Sequence, residues 1–130
     1  MAHVLVVDDD SDLIDMIARQ LRHHGHLVST ASNGGDAIDL VKECGAPDVA
    51  VLDIGLPGMN GFDLFQVFRG IDTLPTFPVI FLSARASQAD VDRGTALDGT
   101  YLTKPYEMAA LLDAVERALK RKTSARKESS

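Results

Sequence analysis

The sequence predicts an α/β fold: a five-stranded parallel sheet, doubly wound by five helices. Short apolar runs alternate five times with stretches of helical periodicity, the order that builds parallel strands with right-handed crossovers. Three of the runs, Val4-Leu5-Val6-Val7, Val49-Ala50-Val51-Leu52 and Val79-Ile80-Phe81-Leu82, are continuous rather than alternating, as in strands buried on both faces. Size agrees with this reading. The chain of 130 residues, 45% hydrophobic and 25% charged, is long enough for one domain with its own core. It has no need of disulfides, which the single Cys44 could not form internally and which a reducing compartment would not favour.

Taken in order, Val4–Val7 is the first strand. Leu13, Ile14, Ile17 and Leu21 follow at helical spacing, and Gly25 offers the stop. Leu27–Thr30 reads as the second strand. Ala37, Leu40, Val41 and Cys44 repeat the helical spacing, closed by Gly45 and Pro47, which sets Cys44 on a core face. After the third strand, Phe62, Leu64, Phe65 and Phe68 give a less regular helix. The fourth strand leads to a polar fourth helix over 87–97. Thr100–Thr103 is a weak fifth strand, and Met108, Leu111, Leu112, Val115 and Leu119 mark the fifth and clearest helix. Residues 1–120 form the domain, and 121–130 read as a basic, polar tail or linker. His23, His24 and His26 read as a solvated helix end rather than a metal site.

Charge is unevenly placed. Residues 1–115 carry 17 Asp/Glu against 7 Lys/Arg, whereas 116–130 carry 2 against 6. An acidic body repels phosphate backbones, which argues against direct nucleic-acid binding by this domain. The longest strongly apolar run, Met108–Leu112, is far short of a membrane span, and Asp8 interrupts the N-terminal run too early for a signal peptide. A cytoplasmic location is the expectation.

In open parallel sheets, ligands gather beyond the carboxyl ends of the strands. Asp8, Asp9, Asp10, Ser11 and Asp12 follow the first strand. Asp53 and then Ile54-Gly55-Leu56-Pro57-Gly58-Met59-Asn60-Gly61 follow the third, Ser83 ends the fourth, and Lys104-Pro105 follows the fifth. If the first and third strands are neighbours, Asp8, Asp9 and Asp53 meet in one pocket and call for a counter-charge. Lys104 is one, and a divalent cation is the other: hard oxygen donors in small number favour Mg²⁺. A carboxylate nucleophile, a metal site, a hydroxyl and an ammonium are the parts that phosphoryl transfer uses. The glycines match neither the dinucleotide fingerprint nor the P-loop, so the donor is a small phosphoryl compound or a phosphorylated protein rather than ATP. Asp10, Ser11 and Asp12 read as the cap and first turn of the first helix.

Four motifs, each at a strand end, resemble the receiver (CheY-like) domain of bacterial two-component response regulators: Val-Leu-Val-Val-Asp8-Asp9-Asp10, Val-Leu-Asp53-Ile-Gly-Leu-Pro-Gly-Met-Asn-Gly, Phe-Leu-Ser83-Ala and Tyr101-Leu-Thr-Lys104-Pro105. The resemblance runs from about Val4 to Leu119. It implies a flavodoxin-like sheet of strand order 2-1-3-4-5. It further implies that Asp53 is the phosphoacceptor and that Asp8, Asp9, Asp53 and the Gly55 carbonyl hold Mg²⁺. By the same resemblance Ser83 and Tyr101 are the switch pair, Lys104 contacts the phosphoryl group, and the bond to Pro105 is cis. The implied partners are a sensor histidine kinase or phosphotransfer protein and a downstream effector that binds near the fourth helix and fifth strand. The resemblance makes the domain a signalling switch with self-phosphorylating and dephosphorylating chemistry rather than an enzyme of metabolism.

Two departures from the pattern stand out. Twenty residues separate Ser83 from Lys104, one fewer than usual, with Leu97-Asp98-Gly99-Thr100 where the family has Gly-Ala-Asp-Asp. The acidic residue that the phosphorylation-dependent dimer of winged-helix regulators uses just before Tyr101 is absent. By the same resemblance, Gly55 and Arg85 occupy the two positions next to the site that tune phosphoryl lifetime in the family. Two other readings compete: a phosphorylation-independent interaction module, and a haloacid-dehalogenase-type phosphatase using Asp8 with Asp10.

Overall fold

Five parallel strands form one sheet in the order β2-β1-β3-β4-β5 in a computed structural model that describes residues 2–83, 100–103 and 107–129, with side chains through Lys120. The elements are β1 (His3–Val7), α1 (Ser11–His23), β2 (Leu27–Ala31), α2 (Gly34–Cys44), β3 (Val49–Asp53), α3 (Gly61–Arg69), β4 (Val79–Ser83), β5 (Thr100–Thr103) and a C-terminal helix (Met108–Ser129). This is the sheet and strand order expected. The fourth helix expected over 87–97 lies outside the described residues, as do Arg85, Lys104 and Pro105.

The sheet sorts its side chains by the two-residue period of a strand. Leu5, Val7, Ala50, Leu52 and Phe81 pack under α2 and α3, with Ala37, Val41, Phe62, Phe65 and Phe68. Val4, Val6, Val49, Val51, Ile80 and Leu82 face the other way, onto Ile14, Ile17 and Leu21 of α1 and Leu111, Ala114, Val115 and Ala118 of the C-terminal helix. Every residue of β3 and β4 is buried, so these runs have no polar alternation to show. Phe62 and Phe65 meet Phe81 with ring centroids 4.8 and 5.8 Å apart, which fixes α3 against the middle of the sheet.

The helix ends follow capping chemistry. Asp10 accepts hydrogen bonds from the Asp12 and Leu13 amides at the start of α1. Asn33 and Asn60 accept from the Asp36 and Asp63 amides at 2.8 Å, opening α2 and α3. The C-terminal helix continues as helix to Ser129, through the segment read from sequence as a tail.

Two expectations are corrected. Cys44 is exposed rather than on the core face. The buried stripe of α2 ends with Val41, and Gly45, at φ +88°, turns the chain out of the helix before another element covers Cys44. His26 is not part of a solvated helix end. Its side chain is 10% exposed, and Nε2 lies 2.8 Å from Oε1 of Glu116 on the C-terminal helix. His23 and His24 are exposed, as expected.

Candidate functional site

Strand register assembles the pocket. Pairing of Val7 with Leu52 brings the carboxyl ends of β1 and β3 side by side, so that Asp8 and Asp53 stand at neighbouring strand ends. Asp53 pairs with Leu82, and the Ile54 amide donates to the Leu82 carbonyl at 2.8 Å, which carries β3 one residue further beside β4. Ser83 therefore ends the next strand along, paired with Thr103. On the far side, the Asp8 amide donates to the Ala31 carbonyl at 3.2 Å and extends the β1–β2 ladder to the site.

One carboxylate oxygen from each of Asp8, Asp9 and Asp53 falls within 4.8 Å of the others. Asp8 is fully buried and Asp53 is 5% exposed, whereas Asp9 faces solvent. The sequence brought these three together as candidates, and the structure does so in space. Backbone amides hold two of them: Asp10 donates to Asp8 Oδ1 at 3.0 Å, and Gly55 donates to Asp53 Oδ1 at 3.1 Å. The Asp10 carboxylate caps α1, as expected, and is not part of this trio. Buried carboxylates so close together repel unless a cation sits among them. An all-oxygen donor set of this kind, open on the Asp9 side, fits a hydrated Mg²⁺.

Ser83 is buried at 7% exposure. Tyr101 pairs with Phe81 across β4 and β5, and its half-buried ring packs on the α2–α3 core. Lys104 lies outside the described residues.

The sequence reading passed over one residue at this site. Gly61, the first residue of α3, lies against the backbone that carries Asp53. A Cβ at this position would come within 2.7 Å of the Asp53 carbonyl oxygen and 3.1 Å of Ile54 Cα. The available signal was a repeated Asn-Gly-x-Asp pattern, Asn33-Gly34-Gly35-Asp36 and Asn60-Gly61-Phe62-Asp63, which marks two capped helix starts with a glycine in the first position.

A doubly wound parallel sheet with a carboxylate trio at its strand ends is the architecture of a phosphoryl-handling signalling domain. The response regulator receiver domain matches residues 4–116, and the chain belongs to that family. It is 39% identical over 128 residues to the transcriptional regulatory protein KdpE of Mycobacterium tuberculosis, across 96% of this chain and 54% of that one. It is 33% identical over 120 residues to protein PilH of Pseudomonas aeruginosa, across 92% and 98%. The chain thus spans about half the length of KdpE. Chemotaxis protein CheY4 of Vibrio cholerae superposes with a TM-score of 0.83 at 30% identity, covering 92% of this chain and 99% of that one. Receiver domains bind Mg²⁺ through acidic residues and interact with histidine kinases or phosphotransfer proteins. Among the described residues, no helix is long and apolar enough to cross a membrane.

Proposed function

We propose that this domain is a phosphorylation switch in which Asp53 takes a phosphoryl group from a sensor histidine kinase or phosphotransfer protein. The observation that supports it is the meeting of Asp8, Asp9 and Asp53 oxygens at the ends of β1 and β3. In the proposed step a carboxylate oxygen of Asp53 attacks phosphorus in line. The new O–P bond forms as the P–N bond of the donor phosphohistidine breaks, and its electron pair returns to the imidazole ring. Mg²⁺ held by Asp8, Asp9, Asp53 and the Gly55 carbonyl would neutralise charge on the transferring group. Ser83 supplies a hydroxyl donor to a phosphoryl oxygen, and Lys104 supplies a positive charge.

The acyl phosphate places about two negative charges where one carboxylate stood. Ser83 and Tyr101 convert that change into a rearranged surface around β5 and the 87–97 segment, which an effector reads. The assignment makes the chain a cytoplasmic signalling module, with 1–120 as its receiver unit and 121–130 as a tail or linker.

Intact mass after incubation with acetyl phosphate and Mg²⁺ tests the assignment. Wild type gains one phosphoryl group, Asp53→Asn gains none, and removal of Mg²⁺ abolishes the gain. Equal labelling of wild type and Asp53→Asn would move the acceptor elsewhere, and turnover of a small phosphomonoester abolished by Asp8→Asn but not by Asp53→Asn would favour phosphatase chemistry.

A further inference from the structure

We infer that Gly61 is a positioning residue for phosphoryl transfer, because its missing side chain is what lets α3 hold the Asp53–Gly55 backbone in place. The inference rests on Asp53 being the acceptor.

Gly61 is buried, and three backbone atoms crowd the place where a Cβ would stand. The Asp53 carbonyl oxygen lies 2.7 Å from it, with the Asp53 carbonyl carbon and Ile54 Cα at 3.1 Å. Backbone cannot rotate away as a flexible side chain can, so a methyl group there must move either α3 or the end of β3. Helix α3 is not free to yield, since Phe62, Leu64, Phe65 and Phe68 are all buried beneath it. The end of β3 is also buried and paired on both sides, so the strain is shared between the first turn of α3 and residues 53–55, where the chain leaves the sheet.

Those residues carry the chemistry. The Gly61 amide donates to the Ile54 carbonyl at 3.2 Å and so closes the loop from residue 54 to residue 61. Within that loop the Gly55 amide reaches Asp53 Oδ1 at 3.1 Å. Gly58, at φ +78°, makes the reversal that brings the chain back to α3. The close approach at Gly61 thus acts together with the strand register in placing the backbone that carries the Asp53 carboxylate relative to Asp8 and Asp9. A misplacement of about 1 Å in an attacking group can cost on the order of a hundred-fold in rate.

Helix propensity and site geometry pull in opposite directions here. An alanine is a better helix former than glycine, so a purely local view expects Gly61→Ala to be harmless or stabilising. A positioning role expects it to impair transfer. Gly35→Ala is the matched control: Gly35 also sits in the first turn of a helix, and its Cβ would meet only Asn33 Oδ1, at 3.4 Å.

The test measures the initial rate of phosphoryl uptake from acetyl phosphate with saturating Mg²⁺, by intact mass, for wild type, Gly61→Ala and Gly35→Ala. We expect Gly61→Ala to be slower by about ten-fold or more and Gly35→Ala to stay within about two-fold of wild type. A Gly61→Ala rate within two-fold of wild type overturns the inference. Absence of uptake by wild type itself overturns the acceptor assignment, and the inference with it, so the two failures are told apart by the wild-type sample.

A second measurement uses wild type alone and does not depend on the variant folding. By linkage, if closure at Gly61 favours the phosphorylated arrangement, filling the site must favour closure. Hydrogen exchange at the Gly61 amide should slow when beryllofluoride and Mg²⁺ are added together. Unchanged exchange in a protein that has bound beryllofluoride overturns the inference.

Discussion

Asn60 holds the start of α3 by accepting the Asp63 amide at 2.8 Å, immediately before the glycine that touches the Asp53 backbone. Replacing it with alanine leaves that amide without its partner. Asn60→Ala should cost about 1 kcal/mol of unfolding free energy in urea denaturation. The loss should be felt at the site as well, because the first turn of α3 is where the helix meets residues 53 and 54. Single residues divide sharply in how far the sequence announced them. Asp8, Asp9, Asp53 and Ser83 were readable because a polar group directly after a continuous apolar run stands at a strand end. Gly61 was not, since its importance lies in a backbone approach that no periodicity encodes. The His26–Glu116 contact was also hidden: the two residues are 90 apart in sequence, and a histidine after a helix stop looks like any solvated cap.

Among elements, β1, β3 and β4 were the most legible, because a parallel strand covered on both faces admits only apolar residues. Edge strand β2 was legible too, although less continuous, and β5 was the weakest of the five. Leu27 and Thr30 of β2 are exposed, so its sequence carries the pattern of only partial burial. Helix α2 shows the limit of periodic reasoning. Ala37 and Val41 are buried as the spacing requires, yet one turn later the same spacing delivers Cys44 to solvent, because the helix has run out of partners. Phe81 is the residue on which two elements depend, with Phe62 tilted and Phe65 edge-on against it. Phe81→Ala should destabilise the domain by about 3–5 kcal/mol, read by thermal or urea unfolding. The loss should appear as a single cooperative transition if α3 and the sheet unfold together.

For the whole molecule, two apolar layers sandwich the sheet, and the C-terminal helix contributes to one of them through Leu111, Ala114, Val115 and Ala118, with Leu119 packed beside them. Residues 121–130, by contrast, have Ala125 as their only apolar side chain in the sequence. Removal of 121–130 should accordingly change unfolding free energy by less than about 0.5 kcal/mol and leave phosphoryl uptake at the wild-type rate. A larger loss would place the boundary of the folded unit further along the helix. The order of strands was legible only through the four motifs taken together. Alternation alone says that strands are parallel, while the placing of β1 between β2 and β3 depends on contacts between distant parts of the chain.

The caps of α2 and α3 also give the molecule a clock. Both are Asn-Gly pairs, the dipeptide in which a backbone nitrogen most easily attacks the preceding side-chain amide, since glycine has no Cβ to obstruct ring closure. Ammonia leaves, a succinimide forms, and water reopens it largely as isoaspartate, with one extra carbon in the main chain. At Asn60 that added length enters the backbone immediately ahead of Gly61, where the fit to Asp53 is tightest. The bond from the Asp63 amide restrains the asparagine side chain while the helix start is formed. Old preparations would then lose their chemistry while still looking folded.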